Sequence, residues 1–339
     1  MGIESSCDDT SVAIIDSNRN IFANEVLSQN EIHKNYNGIV PELAARNHVG
    51  HIDLVLKKTL RKSNTNLNDV GLIAATAGPG LIGGLLVGLT FAKTLAQAKS
   101  IPFVAVNHLE GHALTSRLTD NTNFPFLFLL VSGGHTSFYF VKKINNYIRI
   151  GGTLDDALGE AFDKVAKMIG IDFPGGPNLE KFAKLGDENS FCFAKPLLNK
   201  PTLDLSFSGL KTSVMQVLKE KKIDNNVIKS NIAASFQKTI SDILTVKLER
   251  AIEKTEENFG AFKNVVIAGG VASNLYLRKK LIKIIENKNK KCYFPPLDLC
   301  TDNGAMIAWA GYERYREGLL NGLEFPVRPR WPLEERKSV

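Results

Sequence analysis

Residues 11–27 read SVAIIDSNRNIFANEVL, and this stretch decides the fold. Aliphatic residues dominate 11–16, the polar run Ser17-Asn18-Arg19-Asn20 follows, and a second extended run fills 21–27. Strand formers on both sides of turn-favouring residues make a hairpin-like series. The same order returns after Phe126: an apolar run, 126–131, reaches Ser132-Gly133-Gly134-His135-Thr136, turns into 137–141 and is followed by 147–150. Two halves that each begin with adjacent strands and continue into helices predict a duplicated domain with a cleft between the copies.

Working outward, further strand-like segments lie at 70–76, 103–106, 265–268 and 292–294. Between them, residues 41–62, 81–99, 155–168, 227–257, 272–287 and 303–317 carry apolar side chains at three- and four-residue spacing, which predicts helices. Such alternation argues for an α/β fold, and no low-complexity linker interrupts it. With 339 residues, 44% hydrophobic and 23% charged, the chain has the composition of a globular protein of about two domains. Disordered, collagen-like and disulfide-scaffold classes are excluded.

The four cysteines, Cys7, Cys192, Cys292 and Cys300, form no C-x-x-C pair, so neither a thiolate zinc site nor a disulfide framework is expected. The apolar stretch 124–131 is far short of a membrane span, and Glu4, Asp8 and Asp9 stand where a secretory signal needs bases. A cytoplasmic protein with no membrane partner is expected.

Lys and Arg number 42 against 35 Asp and Glu, a net +7. Residues 1–170 hold 15 of each sign, so the whole excess belongs to residues 171–339, with 27 against 20. It is densest at 276–295, where Arg278, Lys279, Lys280, Lys283, Lys288, Lys290 and Lys291 face a single acid, Glu286. Such a run is either a solvated helix face or a dock for phosphates.

Chemistry concentrates in a few motifs. His108-Leu109-Glu110-Gly111-His112 puts two imidazoles at i and i+4, stacked on one helix face with chelating geometry. Zinc peptidases need their glutamate directly after the first histidine; Leu109 stands there, so a metalloprotease would lack its general base. Asp302, just ahead of a helix, is either its cap or a third ligand. Two histidines and a carboxylate suit Fe(2+) or Zn(2+) equally. The loop 132–136 follows a strand and offers unhindered N–H groups to an anion. Residues 269–274 run from a strand into a helix and can present a helix N-terminus to a nucleotide. The acidic turn Glu4-Ser5-Ser6-Cys7-Asp8-Asp9 can handle a metal or position a nucleophile, whereas Asp163, inside an amphipathic helix, reads as a surface charge. Gly80, Gly84 and Gly88 recur every four residues, which predicts a helix side where another backbone comes close, either that of the chain's own sheet or that of a partner.

Taken in order, GIESSCDDTSVAI, PELAARNH, TAGPGLIGGLLVG, HLEGH, VSGGHT, GEAFDKVAK, FPGGP, SFSGLKT, AGGVASN, CTDNGAMIAWAG and RPRW resemble the TsaD/YgjD family over nearly the whole chain, its bacterial members most of all. The resemblance implies a duplicated fold of the actin, Hsp70 and sugar-kinase (ASKHA) superfamily, with two lobes around a nucleotide-binding cleft. It assigns residues 1–122 to an N-terminal lobe, 123–300 to a C-terminal lobe, and 301–339 to a helix and tail returning to the first. It implies transfer of threonylcarbamoyl from threonylcarbamoyl-AMP to N6 of adenosine 37 in tRNAs reading ANN codons. Carried over by position, His108, His112 and Asp302 would hold a divalent metal, Fe(2+) before Zn(2+), with Asp8 close by; its place in the acidic turn makes Asp8 the candidate catalytic residue, accepting the N6 proton or orienting N6. Leu130, Val131, Ser132, Gly133, Gly134, Asp163, Gly176, Glu180 and Asn274 would contact the adenylate. Archaeal relatives carry a metal-side Tyr where Leu130 stands, so no fourth protein ligand is implied there. The paralogue TsaB, seated on N-terminal helices, and the ATPase TsaE are the implied partners. A metalloprotease and a non-catalytic nucleotide-binding scaffold are the competing readings; the scaffold would not need the paired histidines.

Overall fold

Three extended runs open the chain in the computed structural model, which describes residues 1–36, 38–220 and 226–334. β1 (Gly2–Glu4) pairs antiparallel with β2 (Asp9–Ile15), and β2 pairs antiparallel with β3 (Ile21–Ser28), so 11–27 is the hairpin its pattern predicts. A short helix α1 (Asn30–Lys34) leads to α2 (Pro41–Ser63), which starts on Pro41, whose fixed φ suits a first turn, and stops where Asn64 turns left-handed. β4 (Ile73–Gly78) then adds parallel to β1 on its free side. After α3 (Ile82–Lys99), β5 (Phe103–Asn107) adds parallel to β4 and runs straight into α4 (His108–Asp120). The sheet order is β3-β2-β1-β4-β5.

The second sheet repeats that order. β6 (Phe126–Val131) pairs antiparallel with β7 (Thr136–Lys143), and β8 (Asn146–Gly152) follows at the edge. Helices α5 (Leu158–Met168), α6 (Gly175–Ala183), α7 (Ser208–Glu220) and α8 (Asn226–Phe259) precede β9 (Asn264–Ala268), which adds parallel to β6. α9 (Leu275–Asn287) and β10 (Lys291–Tyr293) complete the order β10-β9-β6-β7-β8 before α10 (Gly304–Arg316) ends the regular structure. In each copy the first strand has an antiparallel neighbour on one side and a parallel one on the other, which is the predicted duplication. Two compact units result. One comprises Met1–Thr122, Lys143–Tyr147 and the chain from Pro295 onward; the other comprises Asn123–Lys142 and Ile148–Phe294. Residues 335–339 of the expected tail lie outside the described residues.

Small residues let α10 lie against the first sheet. A Cβ on Gly311 would collide with Ala74 of β4, and one on Gly304 with the backbone of Val12 and Ala13 in β2. The core of this unit joins Ile3, Val12, Ile73, Leu89 and Phe103 to Phe325 and Trp331 of the C-terminal segment. No helix among the described residues is long and apolar enough to cross a membrane.

Sequence patterning and structure part at helix starts. The helix predicted from 155 begins at Leu158, because Asp155 accepts from Ser206, Phe207 and Ser208 while Asp156 pairs with Lys164 and Lys211. The helix predicted from 272 begins at Leu275, after a 3-10 turn over Gly270–Ser273. Neither α6 nor α7 was anticipated: they open on Gly175-Gly176-Pro177 and Ser208-Gly209, poor helix formers that tertiary packing overrides.

A candidate metal centre and two glycine-backed turns

The two histidines owe their placement to an abrupt strand-to-helix join. Asn107, the last residue of β5, caps α4 by accepting from the Leu109 N–H at 2.9 Å, so His108 is the first helical residue and His112 sits one turn on. Their ring centroids are 4.8 Å apart and nearly perpendicular. Asp302 Oδ1 lies 3.4 Å from His108 Nε2 and 3.2 Å from His112 Nε2. The cap of α10 is not Asp302 but Asn303, which accepts from the Met306 N–H at 2.9 Å. Asp302 is thereby freed to face the histidines.

This donor set fits a divalent ion. His112 is wholly buried, yet neither of its ring nitrogens makes a hydrogen bond; its approach to Asp302 lacks the geometry of one. An unpaired buried polar group costs about 1–3 kcal/mol, which ligation through Nε2 would offset. The three ligand atoms lie within 4.8 Å of one another. His108 is oriented from behind: Glu4 Oε2 and Ser6 Oγ each stand 3.1 Å from its Nδ1, which turns Nε2 toward Asp302. Such a carboxylate behind an imidazole holds ring direction and tautomer in metal sites.

Glu4 itself is wholly buried, with Oε1 accepting the Ser6 N–H at 2.6 Å and Oε2 accepting the Thr76 hydroxyl. Burial opposes charge on all three partners, but mutual attraction wins. Asp302 and then Glu4 raise the His108 imidazole well above its usual range, while His108 holds Glu4 and Asp302 below the usual carboxylate range. Sequence reading placed Glu4 in the acidic turn without a partner; its only signal was a carboxylate in an otherwise apolar strand. Beyond it, burial and then the Asp302 charge push Asp8 up. Asp9 is pushed to about 8 by burial, Asp8 and Asp302. A cation among these acids would reverse that direction.

Glu110, the acid of the histidine motif, serves elsewhere. It is buried, accepts from the Tyr147 hydroxyl at 2.7 Å and pairs with Arg314 at 3.0 Å. Removing one partner from a buried pair costs about 3–5 kcal/mol, so Glu110 reads as a fixed structural ion and not a mobile base.

Of the two readings of the glycine side, the structure shows the one in which it packs within the chain and not the one in which it is open to another protein. Gly84 and Gly88 are buried against the chain's own acidic turn: Cβ atoms there would strike Ser5, and at Gly80 would strike Ser6. Ser5 Oγ donates to the Gly84 carbonyl at 2.9 Å, and the Leu81 N–H donates to the Ser6 carbonyl at 2.7 Å. Exposed apolar residues of this helix pair include Val49 and Leu54 on α2 and Ile82 and Leu86 on α3.

In the other unit, the turn after β6 is built of bare backbone. The Ser132 N–H donates to the His135 carbonyl at 2.8 Å, and Gly133 and Gly134 are exposed with open space where a Cβ would stand. Glycines behind the turn are the tight ones. A Cβ on Gly159 of α5 would collide with Gly133, and Gly269, at φ 103°, would collide with Val131. Leu130 is wholly buried and Val131 nearly so, which leaves their side chains in the core of the sheet.

Of the other residues assigned to the adenylate, Asp163 is no surface charge: its Oδ1 accepts from the Gly175 N–H at 2.8 Å and fixes the start of α6. Gly176 beside it has open space around it. Asn274 caps α9 through the Leu277 N–H at 2.9 Å and donates to Gln237, while Glu180 Oε1 accepts from the Leu275 N–H at 3.0 Å. Glu180 thus occupies the helix N-terminus expected to meet a nucleotide. Glu180, Lys184, Gln237, Leu275 and Tyr276 border a concavity of about 510 Å³.

The basic run is partly neutralised in space. Lys288 pairs with Glu249 and Glu253 of α8 at 2.9 and 2.7 Å, Lys290 pairs with Glu256, and Arg278 donates to the Ala272 carbonyl and lies over Phe294. Lys279, Lys280, Lys283 and Lys291 stay exposed.

Two copies of one five-stranded sheet in this order make up the fold of the actin, Hsp70 and sugar-kinase class. HypF from T. kodakarensis shares the fold, with a TM-score of 0.62 at 15% identity over 94% of this chain and 48% of that one. Component A of the Acidaminococcus fermentans (R)-2-hydroxyglutaryl-CoA dehydratase shares it too, with a TM-score of 0.52 at 16% identity over 93% of this chain and 98% of that one. Within this class the family is specific. The family model TsaD, tRNA N6-adenosine threonylcarbamoyltransferase, matches residues 20–309. Enzymes of that name from Rickettsia rickettsii and Rickettsia bellii are each 52% identical to this chain, over 99% of it and 98% of their own length. The chain belongs to the TsaD family, as its ordered motifs led one to expect; the family is one of transferases that act on tRNA, not of proteases.

Proposed function

We propose that this chain transfers the threonylcarbamoyl group from threonylcarbamoyl-AMP to N6 of adenosine 37 in tRNAs reading ANN codons. The observation that carries the reading is 52% identity to enzymes of this name over essentially the full length of both chains. His108, His112 and Asp302 would hold one divalent ion, Fe(2+) in preference to Zn(2+). When bound, that ion supplies Lewis acidity toward a carbonyl oxygen.

The remaining roles fall to the chain. The N–H groups of Gly133 and Gly134, both exposed, suit the adenylate phosphate, whose charge grows as AMP leaves, and Ser132 closes the turn beneath them through its own N–H. Leu130 and Val131 hold that turn from the sheet, and Asp163, Gly176, Glu180 and Asn274 shape the nucleoside side. N6 of adenine is a weak nucleophile, and Asp8, held in the acidic turn close to Asp302, orients N6 or takes its proton. Exposed Lys279, Lys280 and Lys283 dock tRNA phosphates. The paralogue TsaB seats on the exposed side of α2 and α3, around Val49, Ile82 and Leu86, and TsaE joins that assembly in the cytoplasm.

The test is nucleoside analysis of tRNA from a strain depleted of this protein. Loss of N6-threonylcarbamoyladenosine, restored by the native gene and not by His112→Ala, is expected. An unchanged level of the modified nucleoside overturns the proposal.

A further inference from the structure

The acidic turn is the one element of the site whose backbone must hold two carboxylates beside a third, Asp302, against repulsion. Its first half is tied to α3 by Ser5 and Ser6. Its second half, which carries Asp8 and Asp9, is reached by the final histidine of the PELAARNH motif. This side chain, His48 on α2, is wholly buried. Its Nε2 lies 3.0 Å from the Cys7 carbonyl and its Nδ1 lies 2.7 Å from Thr10 Oγ1. A carbonyl only accepts, so Nε2 carries the proton; Nδ1 then accepts from the Thr10 hydroxyl, which assigns one neutral tautomer. Burial disfavours the charged ring, in keeping with that assignment. The packing is close: a Cβ on Gly84 of α3 would press on the His48 ring as well as on Ser5.

We propose that His48 is a positioning residue for transfer: it clamps the segment Cys7–Thr10 from both sides and so sets where the Asp8 carboxylate stands. Asp8 and Asp9 lie between the two positions that the ring holds, and Asp9 and Thr10 are held as well by the pairing of β2 with β3. The inference rests on the transferase reading for its effect on rate, and on geometry alone for its effect on the turn.

Two readouts separate these. Cys7 is half-buried within the clamped turn, so its alkylation by iodoacetamide, followed peptide by peptide in the folded protein, reports the turn directly. In His48→Leu, with native circular dichroism and metal content, Cys7 alkylation is expected to rise by about tenfold, because local opening exposes the thiol. Transfer kcat is expected to fall by about tenfold or more with KM for tRNA unchanged, since misplacement of a reacting group by about 1 Å has that effect. His48→Gln, whose amide N–H can still reach the Cys7 carbonyl, should recover most of both. In an Asp8→Asn background, His48→Leu should lower kcat less than about twofold further, because residues acting as a unit are not additive.

Unchanged Cys7 alkylation in folded His48→Leu overturns the clamp, and a full independent loss of kcat in the Asp8→Asn background overturns action through the turn. If His48→Leu does not fold, Thr10→Val removes only the hydroxyl, and the same alkylation assay must still show a rise for the clamp to survive. If Asp8→Asn alone keeps normal transfer, the role of Asp8 in proton transfer falls while the alkylation result still decides the clamp.

Discussion

The turn from β1 to β2 and the turn from β6 to β7 hold the same place in two copies of one sheet, and they are opposite in chemistry. The first, Ser5-Ser6-Cys7-Asp8, begins after Glu4 and keeps its side chains; the room for them comes from glycines on and just ahead of α3, at Gly80, Gly84 and Gly88. The second, Ser132-Gly133-Gly134-His135, gives up side chains within the turn and is pressed from behind by Gly159 and Gly269. A turn with carboxylates suits a cation, while a turn of bare N–H groups suits an anion. The same geometry occurs twice, and where the glycines sit decides which turn keeps carboxylates and which presents bare N–H groups.

The comparison breaks most directly at the metal. His112→Ala, which removes the buried imidazole facing Asp302, is expected to abolish metal retention and lower transfer by about a hundredfold or more, because the ion and its ligands act together. Metal analysis after dialysis, beside a transfer assay, checks both, and retained metal would mean that the acidic turn does not serve a cation.

Glu4→Gln is expected to weaken metal affinity by about 10–100-fold while the ligands stay in place, the usual consequence of losing a carboxylate behind a ligand histidine. Competition with a chelator measures it; unchanged affinity would make Glu4 a purely structural ion.

The glycine turn should respond in the contrary way. Gly133→Ala has room for its methyl group and should leave stability within about 0.5 kcal/mol while weakening AMP binding. Gly159→Ala has no room and should destabilise by about 1–3 kcal/mol. Thermal unfolding with and without AMP separates the two, and equal stability losses would show that Gly133 serves packing instead.

The smallest effect belongs to the basic helix. Reversing Lys279, Lys280 and Lys283 should weaken tRNA binding and flatten its salt dependence, by about one unit of log–log slope for each phosphate no longer neutralised. Reversing Lys288, already paired with Glu249 and Glu253, should do less. Equal effects would mean that overall charge, and not the exposed face, governs docking.

The duplicated fold and the metal histidines were legible in the amino-acid order because both depend on local spacing. Alternating runs around Ser17-Asn18-Arg19-Asn20 identify a hairpin wherever they occur, and i, i+4 histidines share a helix face whatever surrounds them. Helix starts were less legible: Asp155 is held ahead of α5 by Ser206, Phe207 and Ser208 and Asp156 by Lys211, all distant in sequence, and α6 and α7 form in spite of glycines. Charge was legible as a count and misleading as a surface, because the glutamates that neutralise Lys288 and Lys290 lie on a different helix.

What the sequence determined by itself is therefore the duplicated series of strands and helices, the family, and which residues are candidates for binding a metal or an adenylate. Only the tertiary structure decided that Asn303 caps α10 and releases Asp302, that Glu4 stands behind His108, that Glu110 is committed to Tyr147 and Arg314, and that Gly80, Gly84 and Gly88 face the chain's own turn. The physical reason is common to all four. A polar or small side chain has several partners open to it in sequence, and which one it takes is settled by the element that packing brings within about 3 Å.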